Sequence, residues 1–210
     1  RTPRLDILIN NAGGVRDRRI VTEEGTEATF AANHLAPFLL TRSLLSLLKQ
    51  TAQHAPAGSV RILGVTSSGH RMSQGMDWDD LQSLEKFEPA PAYMQAKLAN
   101  ILFTRELARR VAADGIIAHV MHPGIVDSNF ASHGDAILQA RMAGSQKSSP
   151  DVPADALVWL ATSAEAARES GRHFFNKEEE VPSPAAQDDG AAALLWTQTE
   201  ALLSKLGFPA

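Results

Sequence analysis

Three short apolar runs constrain this chain more than any other feature: residues 5–9 (LDILI), 60–67 (VRILGVTS) and 116–124 (IIAHVMHPG). Each is the length of a buried strand and too short for a helix of its own. Each runs into small or polar residues: 10–14, 66–70 and 122–128. Continuous rather than alternating apolar runs fit strands covered on both faces, the signature of a parallel sheet. The segments between them carry helical periodicity. A helix is expected over 26–50, bent or broken by Pro37, and a linker over 51–59. Residues 69–91, with Pro89 and Pro91, read as irregular with one short helix. The clearest helix spans 93–114, with Leu98, Ile101, Leu102, Leu107 and Val111 near one face and Gly115 as its stop. Residues 127–150 read as a mobile excursion, 149–162 as a helix, 170–176 as a last strand, 177–184 as a solvated turn and 191–206 as a final helix. Strands alternating with helices predict an α/β fold, a parallel sheet with helices on both faces. In such sheets chemistry gathers at the carboxyl ends of the strands.

Composition removes several function classes. The 210 residues, 44% hydrophobic, suffice for one domain over 1–210. A net charge of −4 and only 6% aromatic residues, with no basic stripe, exclude a dedicated nucleic-acid binder. With no cysteine there are no disulfides, thiolate nucleophiles or Cys-based zinc sites. The apolar stretch around LAPFLLTRSLLSLLKQ is too interrupted for a membrane span, and RTPRLDILINN lacks a signal-peptide core. A cytoplasmic location is the expectation. Seven histidines lie scattered with no His-x-x-x-His pair on a confident helix, so no metal site is expected. Ser67 with His70 lacks the Gly-x-Ser-x-Gly elbow of a hydrolase. Glu178–Glu180 reads as a solvated charge run.

Tyr93 and Lys97, four apart on the clearest helix, share a face. A nearby ammonium favours the phenolate, so such a pair can serve as a tuned proton donor and acceptor. Alone the pair is weak, because this spacing is common on wet helix faces. Ser67 closes a strand, where a serine more often caps a turn. Asn33 sits among apolar residues inside a helical stretch, and a buried amide there needs partners, as do Asn10 and Asn11.

Taken together, LINNAGG, AANHLAPFLLT, GVTSSGH, YMQAKLANILFTREL and HPGIVDS occur in the order of the short-chain dehydrogenase/reductase family. The chain resembles its branch of retinol dehydrogenases and WW-domain oxidoreductases from about residue 5 to 130, and less sharply beyond. The gap of 26 positions from Ser67 to Tyr93 fits that branch. The resemblance implies a doubly wound Rossmann fold and an oxidoreductase moving hydride between NAD or NADP and a carbonyl or alcohol substrate. It implies Tyr93 as acid/base, and Lys97 lowering its pKa while bonding the nicotinamide ribose. It further implies Ser67, two residues after Val65, polarising the substrate carbonyl, and Asn33 holding a proton relay to Lys97. Asn11, Ala12 and Gly13 would line the cofactor's ribose side. Pro123, Gly124, Ile125, Val126 and Ser128 would pack around the nicotinamide.

Members of this family open with a strand and a Thr-Gly-x-x-x-Gly-x-Gly turn that holds the pyrophosphate at a helix N-terminus. No such motif occurs in these residues. The expectation is therefore an N-terminally truncated member, lacking the first strands and the residues that discriminate NAD from NADP. Its alternative role is that of an inactive member acting at most as a binding or oligomerisation module. The faces over 98–110 and 26–48 are the candidate homo-oligomer surfaces, against ordinary packing on the sheet.

Overall fold

The computed structural model describes residues 3–208. Five strands form one sheet in the order β1-β2-β3-β4-β5: β1 (Ile7–Asn10), β2 (Arg61–Val65), β3 (Ile117–His122), β4 (Arg172–Phe175) and β5 (Glu178–Glu179). The first four are parallel, and β5 turns back antiparallel on β4. The sheet register sets Leu8 beside Ile62 and Ile62 beside Ala118. All three side chains feed one core with Phe38, Leu48, Phe103, Leu107 and Trp196. Leu63, one residue past Ile62, and Met121, three past Ala118, face the other way and pack with Phe174, Ala156 and Leu160. The period of two thus divides the apolar runs between two covered faces, as their unbroken hydrophobicity demands.

The expected helix over 26–50 is real but composite: α1 (Ala28–Phe30), a π-helical turn (Ala31–Leu35) and α2 (Ala36–Ala52). Pro37 does not break it, because it lies in the first turn of α2. The irregularity comes earlier, at Asn33, whose Nδ2 donates to the Thr29 carbonyl at 2.7 Å. That is the carbonyl an α-helix would give to the backbone N–H of residue 33, so the ladder widens there. Glu27, fully buried, starts the stretch by accepting from the N–H groups of Thr29 and Phe30 at 2.8 Å each.

The main helix, α3 (Pro89–Val111), begins four residues before the expected start. Pro89 and Pro91 belong to its first turn, where N–H groups have no intrahelical partner and proline costs nothing. Gly115, in the left-handed region at φ 68°, ends the following 3-10 turn as expected. The excursion over 127–150 holds a 3-10 turn (Asn129–His133) and α4 (Ala136–Ala143). α5 (Asp151–Thr162) covers the face of Leu63 and Met121.

α6 (Asp189–Lys205) lies along α3, where Leu195 and Ala192 meet Leu98, Ile101 and Leu102. His34 Nε2 and Thr199 Oγ1, 2.9 Å apart, tie α6 to the π-turn. Arg110 stacks on Trp196 at 4.2 Å, and Arg105 pairs with Asp189 at 2.7 Å. The face over 98–110 is therefore packed within the chain. Among the described residues, no helix is long and apolar enough to cross a membrane.

Candidate active site

The carboxyl ends of β1, β2 and β3 converge on the N-terminal half of α3. β2 ends at Val65, and Ser67 follows in extended conformation. Its Oγ accepts from the Gly69 N–H at 3.1 Å, the ordinary capping duty of a serine. The same hydroxyl neighbours the Tyr93 phenol, whose ionised form it favours. Ser67 is therefore both a cap and a neighbour of the tyrosine. Thr66 Oγ1 donates to the Lys97 carbonyl at 2.7 Å and pins the strand end to α3.

Lys97 Nζ donates to the Val65 carbonyl at 3.1 Å and lies 5.6 Å from the centre of the Tyr93 ring. The helical spacing of four thus delivers the expected pair. Burial pushes the Tyr93 phenol up to about 12, and the Ser67 hydroxyl opposes this only in part. Burial also draws the Lys97 ammonium down to about 8. In both residues loss of water disfavours the charged form, and the Lys97 ammonium faces the Tyr93 ring.

Asn33 is fully buried and clasps the turn after β1. Its Nδ2 donates to the Gly14 carbonyl at 2.6 Å as well as to Thr29, and its Oδ1 accepts from the Gly14 N–H at 3.2 Å. Both amide protons are engaged. Oδ1 points at the place where a side chain on Gly13 would begin: a Cβ there would lie 2.5 Å from it and 3.2 Å from Lys97 Nζ. Asn33, Gly13 and Lys97 therefore meet at one point. Asn11, Ala12 and Gly13 are exposed at the strand end, while Asn10 donates to Thr41 Oγ1 at 2.9 Å.

The segment after β3 forms the opposite wall. Gly124 has φ 72°, and a Cβ on it would meet the Phe175 ring at 3.1 Å. Phe175 in turn stacks on His122, with ring centres 4.5 Å apart and planes at 5°. Ile125 and Asp127 exchange backbone hydrogen bonds with Ser148 at 2.9 Å each, closing the neck of the 127–150 excursion beside Val126. Pro123 is partly buried, and Ser128 caps the next turn by accepting from Phe130 N–H at 3.4 Å.

Sequence reasoning missed three participants. Phe130, from the excursion, packs on Tyr93 with ring centres 5.3 Å apart. Asn100, one turn beyond Lys97 on α3, shares the Val65 carbonyl at 3.4 Å; its i+3 spacing from Lys97 was the available signal. His70 bridges two loops of the site. Glu180 corrects the reading of the acidic run, since it bonds His122 at 3.0 Å and Arg71 at 3.1 Å. His122, His173 and Glu180 bring possible metal-ligand atoms within 4.8 Å of one another, a grouping that no sequence spacing revealed. Arg71 already engages that carboxylate. The far nitrogens, His122 Nδ1 and His173 Nε2, lack the acceptors that coordinated imidazoles need.

No protein-family profile matches the chain. Retinol dehydrogenase 14 of Homo sapiens is 39% identical to it over 209 residues, covering 97% of this chain and 60% of that protein. A crystal structure of an uncharacterized protein from Mycobacterium paratuberculosis superposes with a TM-score of 0.69 at 29% identity, covering 97% of this chain and 68% of that one. The 3-ketoacyl-(acyl-carrier-protein) reductase of Brucella melitensis, solved with NADH, shares the fold with a TM-score of 0.60 at 20% identity, covering 87% of this chain and 68% of that one. The chain spans about 60% of the length of the curated relatives it matches.

Proposed function

We propose that this chain, which belongs to the short-chain dehydrogenase/reductase family, carries the catalytic half of an NAD(P)-dependent oxidoreductase acting on a carbonyl or alcohol. The observation that carries the reading is the convergence of Ser67, Tyr93 and Lys97 at the carboxyl end of the sheet, with Asn33 held beside them.

The residues present fit the nicotinamide half of such a cofactor. The backbone at Gly13 and Gly124 is free of side chains: a Cβ at Gly13 would collide with Asn33, and one at Gly124 would press on Phe175 from a left-handed backbone. Asn11, Ala12, Gly13, Tyr93 and Lys97 would hold the ribose side. Pro123, Gly124, Ile125, Val126 and Ser128 would hold the nicotinamide. When bound, the cofactor supplies or accepts the hydride. Tyr93, with its phenol held well above neutral, keeps its proton at pH 7 and in reduction gives it to the substrate oxygen. The Ser67 hydroxyl accepts from Gly69, and its own proton, which faces the Tyr93 phenol, would turn to that same oxygen when substrate binds. Lys97 carries its charge at neutral pH and, with Asn33 Oδ1 beside it, returns a proton to the tyrosine.

Phe130 against Tyr93 favours a moderately apolar aldehyde, ketone or secondary alcohol. We read residues 1–210 as one partial domain. The absence of cysteine fits a cytoplasmic protein.

The test pairs binding with turnover. NADH and NADPH fluorescence is titrated against the chain, and Tyr93→Phe is assayed in the dehydrogenase expressed from its full coding sequence. Saturable binding of one cofactor and loss of turnover with cofactor affinity kept are expected. Near-normal turnover of the variant removes Tyr93 from its role, and no saturable binding favours the reading as an inactive binding module.

A further inference from the structure

His70 is completely buried and joins two segments 113 residues apart. Its Nδ1 lies 2.7 Å from the Ser67 carbonyl oxygen, and its Nε2 lies 3.2 Å from the backbone nitrogen of Ser183. The second contact decides the chemistry of the first. A backbone N–H can only donate, so Nε2 must be the bare, accepting nitrogen. The single proton of the neutral ring then sits on Nδ1 and is donated to Ser67. Neither contact tolerates the other tautomer, which would set N–H against N–H at Ser183 and a lone pair against the carbonyl of Ser67.

The surroundings hold the ring in this orientation. Its edge meets the His173 ring at 5.1 Å. The neighbouring Arg71 clamps the same far segment by donating to the Val181 carbonyl at 2.7 Å and pairing with Glu180 at 3.1 Å. The turn at Ser67 is held by the cap bond to Gly69 and, at its carbonyl, by two donors from residue 70, the ring Nδ1 at 2.7 Å and the backbone N–H at 3.2 Å, of which the ring bond is the shorter. The bond to the Ser67 carbonyl holds the Cα from which Oγ projects, and Oγ is the group beside Tyr93.

We propose that His70 is a positioning residue for Ser67, acting through its Nδ1–H to the Ser67 carbonyl with the segment at Ser183 as its anchor. The inference rests on the reading of Ser67 as the group that polarises the substrate oxygen. A displaced hydroxyl fails at the moment of proton transfer, so the loss belongs in kcat and not in cofactor affinity.

Two substitutions separate this role from general support. In His70→Asn the amide nitrogen falls near the place of Nδ1 and keeps the bond to Ser67. In His70→Gln the amide reaches the place of Nε2 and keeps only the bond to Ser183. In the dehydrogenase expressed from its full coding sequence, His70→Gln is expected to lose about tenfold in kcat with KM for the cofactor within about twofold, whereas His70→Asn stays within about threefold of the parent. A merely structural anchor predicts the reverse order, and that result overturns the proposal. Ser67→Ala is measured alongside. If it is nearly fully active, the reading of Ser67 has failed; if it is inactive while His70→Gln is not impaired, the positioning claim alone has failed. Should both histidine variants fail to fold, long-range 1H–15N NMR of the unsubstituted chain decides. A proton on Nδ1 of His70 is expected, and a proton on Nε2 refutes the bridge.

Discussion

Replacing Gly13 by alanine tests the tightest contact in the site. Gly13 is exposed and sits in a turn, a setting where a methyl group is ordinarily tolerated within about 0.5 kcal/mol. Here the added Cβ would lie 2.5 Å from Asn33 Oδ1, well inside any real contact distance. Lys97 Nζ, at 3.2 Å, is the end of a long side chain and can withdraw. Asn33 cannot, because its amide is fixed by bonds to Gly14 N–H, Gly14 carbonyl and Thr29 carbonyl, and the side chain has only two rotatable bonds. Accommodating the methyl therefore means losing two or three buried hydrogen bonds, at about 1 kcal/mol each. The expected destabilisation is roughly 2–3 kcal/mol, read as a fall in the urea midpoint at unchanged slope. The reasoning makes a sharper demand in a double-mutant cycle. In an Asn33→Ala background the obstacle is gone, so Gly13→Ala should there cost less than about 1 kcal/mol. Additive costs in the two backgrounds would refute the account, as would a wild-type cost near zero.

Two further outcomes follow from the buried pair. Tyr93 is the sole tyrosine of the chain, so tyrosinate absorbance reports on it alone. With the phenol pushed up to about 12, the folded chain should show almost no phenolate at pH 10, and half-ionisation there contradicts the burial argument. Lys97 titrates at about 8 when folded, against 10.5 ordinarily. The unfolded chain then binds more protons between those values, so this residue makes stability rise with pH from about 8 to about 10 and is a net burden below that window. Lys97→Met should accordingly raise the melting temperature at pH 7, with the gain shrinking as pH approaches 10; a gain that grows with pH would reverse the assigned sign.

Much of the fold was legible because it rests on local signals. The apolar runs gave β1, β2 and β3 within two residues, and Gly115 marked the stop after α3. The boundaries that failed did so for local reasons of another kind. Pro89 and Pro91 look like breakers, but in a first turn they remove only N–H groups that have no partner. The π-turn at Asn33 depends on a side chain capturing a backbone carbonyl, which periodicity cannot register. In the site, the proximity of Tyr93 and Lys97 follows from their spacing on one helix, but that spacing and the strand-end place of Ser67 are weak alone, and it is the order of the family motifs that singles the three out. Phe130, Glu180 and His70 were not readable, since their partners lie 37, 58 and 113 residues away along the chain and meet only through the sheet. The charge run at Glu178–Glu180 shows the limit well: composition says solvated, and the β4–β5 hairpin turns its last member toward His122.

The packing of α6 along α3 has a consequence for the order in which the molecule matures. The helix bearing Tyr93 and Lys97 finds much of its outer cover, Leu195, Ala192 and Trp196, in α6, about a hundred residues further along the chain. During synthesis from the N-terminus, β1, β2, α3 and β3 emerge with that cover still missing. Contacts of such long sequence separation close slowly. The helix bearing Tyr93 and Lys97 is thus seated only after α6 has been made.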